Sequence, residues 1–168
     1  SATGQVIPHV LASLIAEAFL QRTPPKSTGR DLFNPAWLKA RLPADTLAPH
    51  DVQATLTEFT AMACAHDIQH QAPLARELIV CGGGALNEQL MRRLAHHLPG
   101  LQVTNSQVRG LPPLQVEAAA FAWLARHTVR GLPGNLPKVT GAQGARRRIR
   151  YRRNPGNAGR VRHRTSRP

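Results

Sequence analysis

Apolar and polar residues follow one another along this chain with a period that changes from place to place, and the changes mark its elements. From residue 6 to residue 20, Val6, Val10, Leu11, Leu14, Ile15, Ala18 and Phe19 fall on one helical face, which predicts an amphipathic helix ending before Thr23-Pro24-Pro25. Its apolar stripe has no partner upstream. A second stripe, Val52, Leu56, Phe59, Met62 and Ala63, predicts a long helix from Asp51, with Asp51 as its N-cap. Between them Phe33, Trp37 and Leu38 make the apolar face of a short helix. Pro24 to Arg30 is a loop, because its two prolines remove backbone donors and Gly29 relieves a turn. Lys26, Ser27, Thr28 and Arg30 give that loop a polar, anion-friendly character.

The period shortens in the middle of the chain. Leu78, Ile79, Val80 and Cys81 form a short, partly β-branched run that meets three consecutive glycines, Gly82, Gly83 and Gly84. Apolar residues then return at helical spacing at Leu90, Met91, Leu94 and Leu98, until Pro99-Gly100 stops them. This is strand, tight turn, helix. Leu101 to Thr104 reads as a second strand, so the unit is βαβ, with a right-handed crossover and parallel pairing. The fold class that follows is α/β, helices around a small, mainly parallel sheet. Leu111-Pro112-Pro113 leads into a strongly apolar helix from about Leu114 to Arg126, whose alanines at 118, 119, 120, 122 and 125 let a neighbouring element approach closely. Gly131 to Pro137 is a rigid, irregular segment.

A chain of 168 residues can bury the core of one domain, and no apolar run is long enough to span a bilayer. No Lys or Arg precedes the first apolar stretch and Glu17 interrupts it, so a signal peptide is not expected and the location expected is cytoplasmic. Cys64 and Cys81 lie in apolar surroundings without C-x-x-C spacing, which predicts reduced, buried thiols rather than a disulfide or zinc site. His66, His70, His96 and His97 have no carboxylate or cysteine at metal spacing, so they read as surface or edge residues and no metal site is expected.

Charge changes the picture only at one end. The formal net charge is +13, but ten arginines lie beyond Ala145, with no acid among them. Without those ten, 12 basic residues stand against 9 acidic ones, a net +3. The division expected is a nearly neutral folded body, residues 1–142, and a basic, disordered tail, residues 143–168. Its Arg, Gly and Pro content is what a GC-rich gene yields when read out of frame. Arginine-rich segments also bind RNA and DNA without sequence preference, so nucleic-acid binding through residues 145–168 is the alternative function.

The candidate chemistry lies at the glycine turn. Glycine permits both φ > 0 and close approach of the backbone, so Gly82, Gly83 and Gly84 can present main-chain N–H groups to a phosphate or ribose beside the positive end of the following helix. The turn is not a Walker A loop, since no Gly-Lys-Ser/Thr follows, and not the dinucleotide fingerprint, since Asn87 stands where a third glycine would be. A glycine needed merely to turn the chain fits these residues as well. Glu117, at the start of the apolar helix, serves equally as a complement to the helix dipole.

Six blocks carry a resemblance that goes further. Cys81-Gly-Gly-Gly-Ala85 with Asn87 and Leu90-Met91, preceded by Pro24-Pro-Lys-Ser-Thr-Gly-Arg30 with Phe33-Asn34 and Trp37-Leu38, resembles the anhydro-N-acetylmuramic acid kinases. In the same order stand Asp51-Val-Gln-Ala-Thr-Leu56, Val116-Glu117-Ala118 with Phe121-Ala-Trp-Leu124, and Gly131-Leu-Pro-Gly-Asn-Leu-Pro137 running into Val139-Thr-Gly141. The resemblance covers only the family's C-terminal half, so the chain looks like a fragment. It implies one lobe of an actin-like, ribonuclease H-like sugar-kinase fold. The complete enzyme would use ATP and Mg²⁺ to phosphorylate 1,6-anhydro-N-acetylmuramic acid, opening its ring with water to give N-acetylmuramic acid 6-phosphate in peptidoglycan recycling, and would pair as a homodimer.

On that comparison Gly82, Gly83, Gly84 and Asn87 contact the nucleotide, and Glu117 hydrogen-bonds the sugar. The Pro24–Arg30 loop is expected near the substrate cleft. The phosphate loops and the general-base aspartate belong to the missing N-terminal half, so no catalytic residue is expected here and the chain alone should be inactive. Where the family has acids between positions 106 and 113, this chain has Ser106, Gln107, Arg109 and Pro112. A regulatory or dimerising remnant without chemistry has the same sequence signature.

Overall fold

The computed structural model of the chain describes residues 4–43 and 47–146. Its helices are α1 (Pro8–Ile15), α2 (Pro35–Lys39), α3 (Pro49–Gln71), α4 (Glu88–His97), α5 (Val116–Val129) and α6 (Pro137–Thr140). Two strands, β1 (Glu77–Val80) and β2 (Gln102–Asn105), pair in parallel with Glu77 opposite Gln102 and Val80 opposite Asn105. The βαβ unit and its parallel pairing are as the pattern predicts. The α/β class holds, with a sheet of two strands.

The core forms where α1 lies against α3. Val10 and Leu14 are 1% and 0% exposed and meet Phe59 of α3. Burying an aliphatic side chain of this size contributes about 1.5–3 kcal/mol. So the stripe on α1 finds a partner downstream, in α3. The helix is also shorter than its pattern. It stops at Ile15, and Glu17 accepts the Phe19 amide at 3.2 Å, restarting the chain as the 3₁₀ turn Ala18–Gln21. A carboxylate that bonds the backbone locally competes with helix continuation.

Asp51 is not the N-cap of α3. That place belongs to Ala48, with Pro49 at the first helical position, where a missing N–H costs nothing. The Asp51 carboxylate accepts the Gln5 amide at 2.7 Å instead, and Thr55 Oγ1 accepts the Ile7 amide at 2.9 Å, fastening the entry to α1 onto the first turns of α3. On the other side, α3 holds α4 through Glu58, 5% exposed, which accepts two hydrogen bonds from the Arg93 guanidinium and lies 2.7 Å from His97 Nε2. His97 therefore has a carboxylate partner that sequence spacing did not reveal, because the two lie on different helices.

Two further expectations change. Cys64 and Cys81 are both exposed, not buried, since α3 turns its apolar faces to α1 and α4 and Cys81 lies beyond the end of β1. And α5, largely apolar, has no buried residue at all. Among the described residues no helix is long and apolar enough to cross a membrane. Arg147 to Pro168, nine of the ten tail arginines among them, lie outside the described residues. Gly144 and Arg146 lie inside: the Gly144 carbonyl accepts the Asn135 side-chain amide at 3.2 Å, and the Arg146 amide donates to Asn135 Oδ1 at 2.6 Å.

Candidate functional site

Strand β1 ends in the glycine turn, at the C-terminal edge of the parallel pair where ligands of open α/β sheets sit. Gly82 has φ 75° and ψ −168°, and its N–H donates to the Pro113 carbonyl at 2.9 Å. Gly83–Leu86 then make one 3₁₀ turn, with the Asn87 amide donating to the Gly84 carbonyl at 3.1 Å. Asn87 is the N-cap of α4: its Oδ1 accepts the Leu90 amide at 3.1 Å.

The turn is open. Gly83 and Gly84 are exposed, and their amides have no acceptor among the described residues. A Cβ built at Gly83 meets nothing within 4 Å, and φ is not positive there, so nothing inside this chain requires glycine at that position. At Gly84 a Cβ makes only ordinary contact, 3.4 Å from Leu90 Cδ2. Only Gly82 has a conformational reason.

Beside the turn lies a notch of about 150 Å³ lined by Asn87 and Leu90 on one wall and by Gln53, Leu56, Thr57 and Thr60 of α3 on the other. Leu56 and Thr60 also border a larger cavity of about 570 Å³, walled by Phe33, Trp37, Leu38, Phe59 and Ala63, with Arg30 and Cys64 also lining it. Cys64 is exposed by area, yet the apolar lining and the Asp67 carboxylate push its thiol pKa up.

The Pro24–Arg30 loop reaches this cavity through Arg30 only. Lys26 is no free cation: its Nζ donates to Asp67 Oδ1 at 2.8 Å and to the Leu20 carbonyl at 2.9 Å, and its side chain is 10% exposed. It anchors the loop to α3. Trp37 is held by its indole N–H, which donates to Glu17 Oε2 at 2.7 Å, with Arg41 on the same oxygen at 2.6 Å. The hydrogen bonds from Trp37 and the Phe19 amide hold the Glu17 carboxyl below its ordinary range.

Glu117 stands in the first turn of α5, exposed and without a hydrogen-bond or ion-pair partner among the described residues. It is tied to the glycine turn through the chain, since α5 follows directly on the 3₁₀ turn Pro113–Gln115 and Pro113 holds Gly82. Arg109, in the segment without the family's acids, pairs with Glu77 of β1. Ser106 Oγ is buried and lacks a hydrogen-bond partner among the described residues. Among those residues no group of three or more His, Cys, Asp or Glu side chains gathers to hold a metal ion.

Comparison with known proteins decides the family. The family model described as anhydro-N-acetylmuramic acid kinase matches residues 1–148 of this chain. The chain belongs to the anhydro-N-acetylmuramic acid kinase family. A kinase of that name from Variovorax paradoxus (strain S110) is 62% identical over 147 residues, covering 87% of this chain and 39% of that protein. Relatives of the same name from Albidiferax ferrireducens and Pseudomonas syringae pv. syringae are 55% and 48% identical, again over 87% of this chain and over 38% and 40% of theirs. The chain thus spans about two-fifths of the length of these kinases.

Proposed function

We propose that this chain supplies the adenosine-binding part of an anhydro-N-acetylmuramic acid kinase, the C-terminal lobe of an actin-like sugar-kinase fold. The observation that carries the reading is Gly83, a glycine that nothing in its own chain requires, with an unaccepted amide on an open turn. A ligand backing closely onto the main chain supplies the missing reason. In the complete enzyme, ATP with Mg²⁺ supplies the phosphoryl group, and water opens the anhydro ring as the sugar becomes N-acetylmuramic acid 6-phosphate.

The residues of this chain bind and orient. The amides of Gly83 and Gly84 point polar hydrogens at the nucleotide, with α4 adding the positive end of its dipole. Asn87 shapes the turn by capping α4, and the notch between Asn87 and α3 receives the purine or its ribose. Glu117, unpaired and exposed, accepts hydrogen bonds from the sugar hydroxyls. Phosphoryl transfer depends on positioning and on stabilised charge, so the phosphate loops, the general base and the metal site fall to the part of the enzyme this chain does not cover. The chain alone has no turnover, and the complete enzyme works in the cytoplasm as a homodimer.

Titration of the chain with ADP, followed by NMR, tests the first step. Shifts confined to residues 82–90 and the facing side of α3, abolished by Gly83→Ala, are the expected result. Shifts elsewhere, or binding unchanged in that variant, sink the reading. Nucleic-acid binding through residues 145–168 gains no support from the described residues or from the comparisons.

A further inference from the structure

A helix of largely apolar sequence is left uncovered by the described fold. In α5 Phe121, Trp123 and Leu124 are 64%, 47% and 36% exposed, and Val129 is 88% exposed. Alanines fill five of the other ten positions, and Glu117, Arg126, His127 and Thr128 do not gather on one face. A helix without a distinct polar face is suited to the inside of a protein. Near its C-terminal end His127 lies 3.6 Å from Trp123, centroid to centroid, and its Nδ1 lies 2.8 Å from the Pro133 carbonyl.

The sheet is incomplete in the same sense. Parallel sheets occur almost only with both faces covered, because their crossover helices lie on those faces. Among the described residues β1 and β2 pair only with each other, each leaving an outer edge without a strand partner, and Ile79 is 39% exposed. Relatives at 62% and 55% identity carry a long stretch of polypeptide that this chain does not match, since the match covers 39% and 38% of them.

We infer that the exposed side of α5, together with the open edges of the β1–β2 sheet, is the surface on which the uncovered part of the kinase docks, burying Phe121 and Trp123. This rests on family membership alone and not on the nucleotide reading of the glycine turn. The partner so defined is polypeptide that adds strands to the edge and an apolar face to α5. A second copy of this chain is the competing occupant, and the test separates the two.

The test mixes this chain with the part of the Variovorax paradoxus kinase that it does not match. Trp37 and Trp123 are the two tryptophans, so the difference between the unaltered chain and Trp123→Phe isolates the Trp123 signal. The expected result is a one-to-one complex in which acrylamide quenching of Trp123 falls severalfold. Phe121→Asp weakens that complex about tenfold or more, as loss of a central aromatic anchor does. Its circular dichroism and melting stay those of the parent, since Phe121 is already in water. Leu74→Asp, at an 85% exposed residue away from α5, binds as the parent does.

The inference is overturned if no complex forms, if Trp123 stays as accessible in the complex as before, or if Phe121→Asp binds unimpaired. It is overturned equally if the chain alone sediments as a dimer that protects Trp123. Kinase activity of the complex is read separately, so a complex that protects Trp123 and does not turn over removes the kinase reading and leaves the docking surface standing.

Discussion

At Gly82 the backbone holds φ at 75°, a region an L side chain reaches only with strain, while Gly83 beside it has neither positive φ nor a crowded Cβ. The two substitutions therefore separate fold from function. Gly82→Ala should cost about 1–3 kcal/mol, read as a lower Tm. Gly83→Ala should leave Tm nearly unchanged, within about 0.5 kcal/mol of stability, and lose ADP binding. Asn87→Ala should cost about 1 kcal/mol, and Asn87→Asp should recover it, because either side-chain oxygen caps α4. Glu58 gives the pH dependence. The Arg93 hydrogen bond, with a further one from His97, outweighs burial and holds the Glu58 carboxyl below its ordinary range. Its stabilisation is therefore full above the unfolded carboxylate pKa and is lost as pH falls through the lower folded value. Melting followed from pH 7 down through pH 4 should show this acid limb, and Glu58→Gln should flatten it. That variant should also cost roughly 2 kcal/mol at pH 7, less than a fully buried pair because Arg93 is 30% exposed.

At the scale of elements, α1 and α3 depend on one another. Leu14→Ala, at a residue with 0% exposure, should cost about 2–5 kcal/mol in chemical denaturation. Strand, turn and helix from Leu78 to Leu98 were legible in the sequence, because period and glycine placement act locally. The end of α1 at Ile15 was not. A continuous apolar stripe ran past it, and the competing hydrogen bond from the Phe19 amide to the Glu17 carboxylate lies outside any periodicity. Asp51 failed as a cap for a similar reason, since its carboxylate turned to Gln5, a distant donor that only the α1–α3 contact brings near. The glycine turn and Asn87 were legible as a candidate site. The Glu58, Arg93 and His97 clamp was missed, as its members stand on two helices and share no sequence spacing.

The whole chain spans about two-fifths of the length of the kinases it matches. Its anhydro-N-acetylmuramic acid kinase relatives extend well beyond the matched region, so an ATP-coupled assay on the isolated chain with anhydro-N-acetylmuramic acid should give no turnover, and full turnover would contradict the division of labour proposed above. The boundary of the folded part can be probed as well. Truncation after Ala142 removes the Gly144 and Arg146 hydrogen bonds to Asn135 and should loosen the Gly131–Pro137 segment, seen as faster amide exchange there. Spacing and periodicity by themselves determined the βαβ unit and the place of the glycine turn, because each is written in short stretches of chain, while the family came from resemblance to known sequences. Only the tertiary structure decided which helix covers α1, which carboxylate holds α4, that both thiols face water, and that α5 stands bare. Those are questions of which distant surfaces meet, and burial is settled between elements rather than within them.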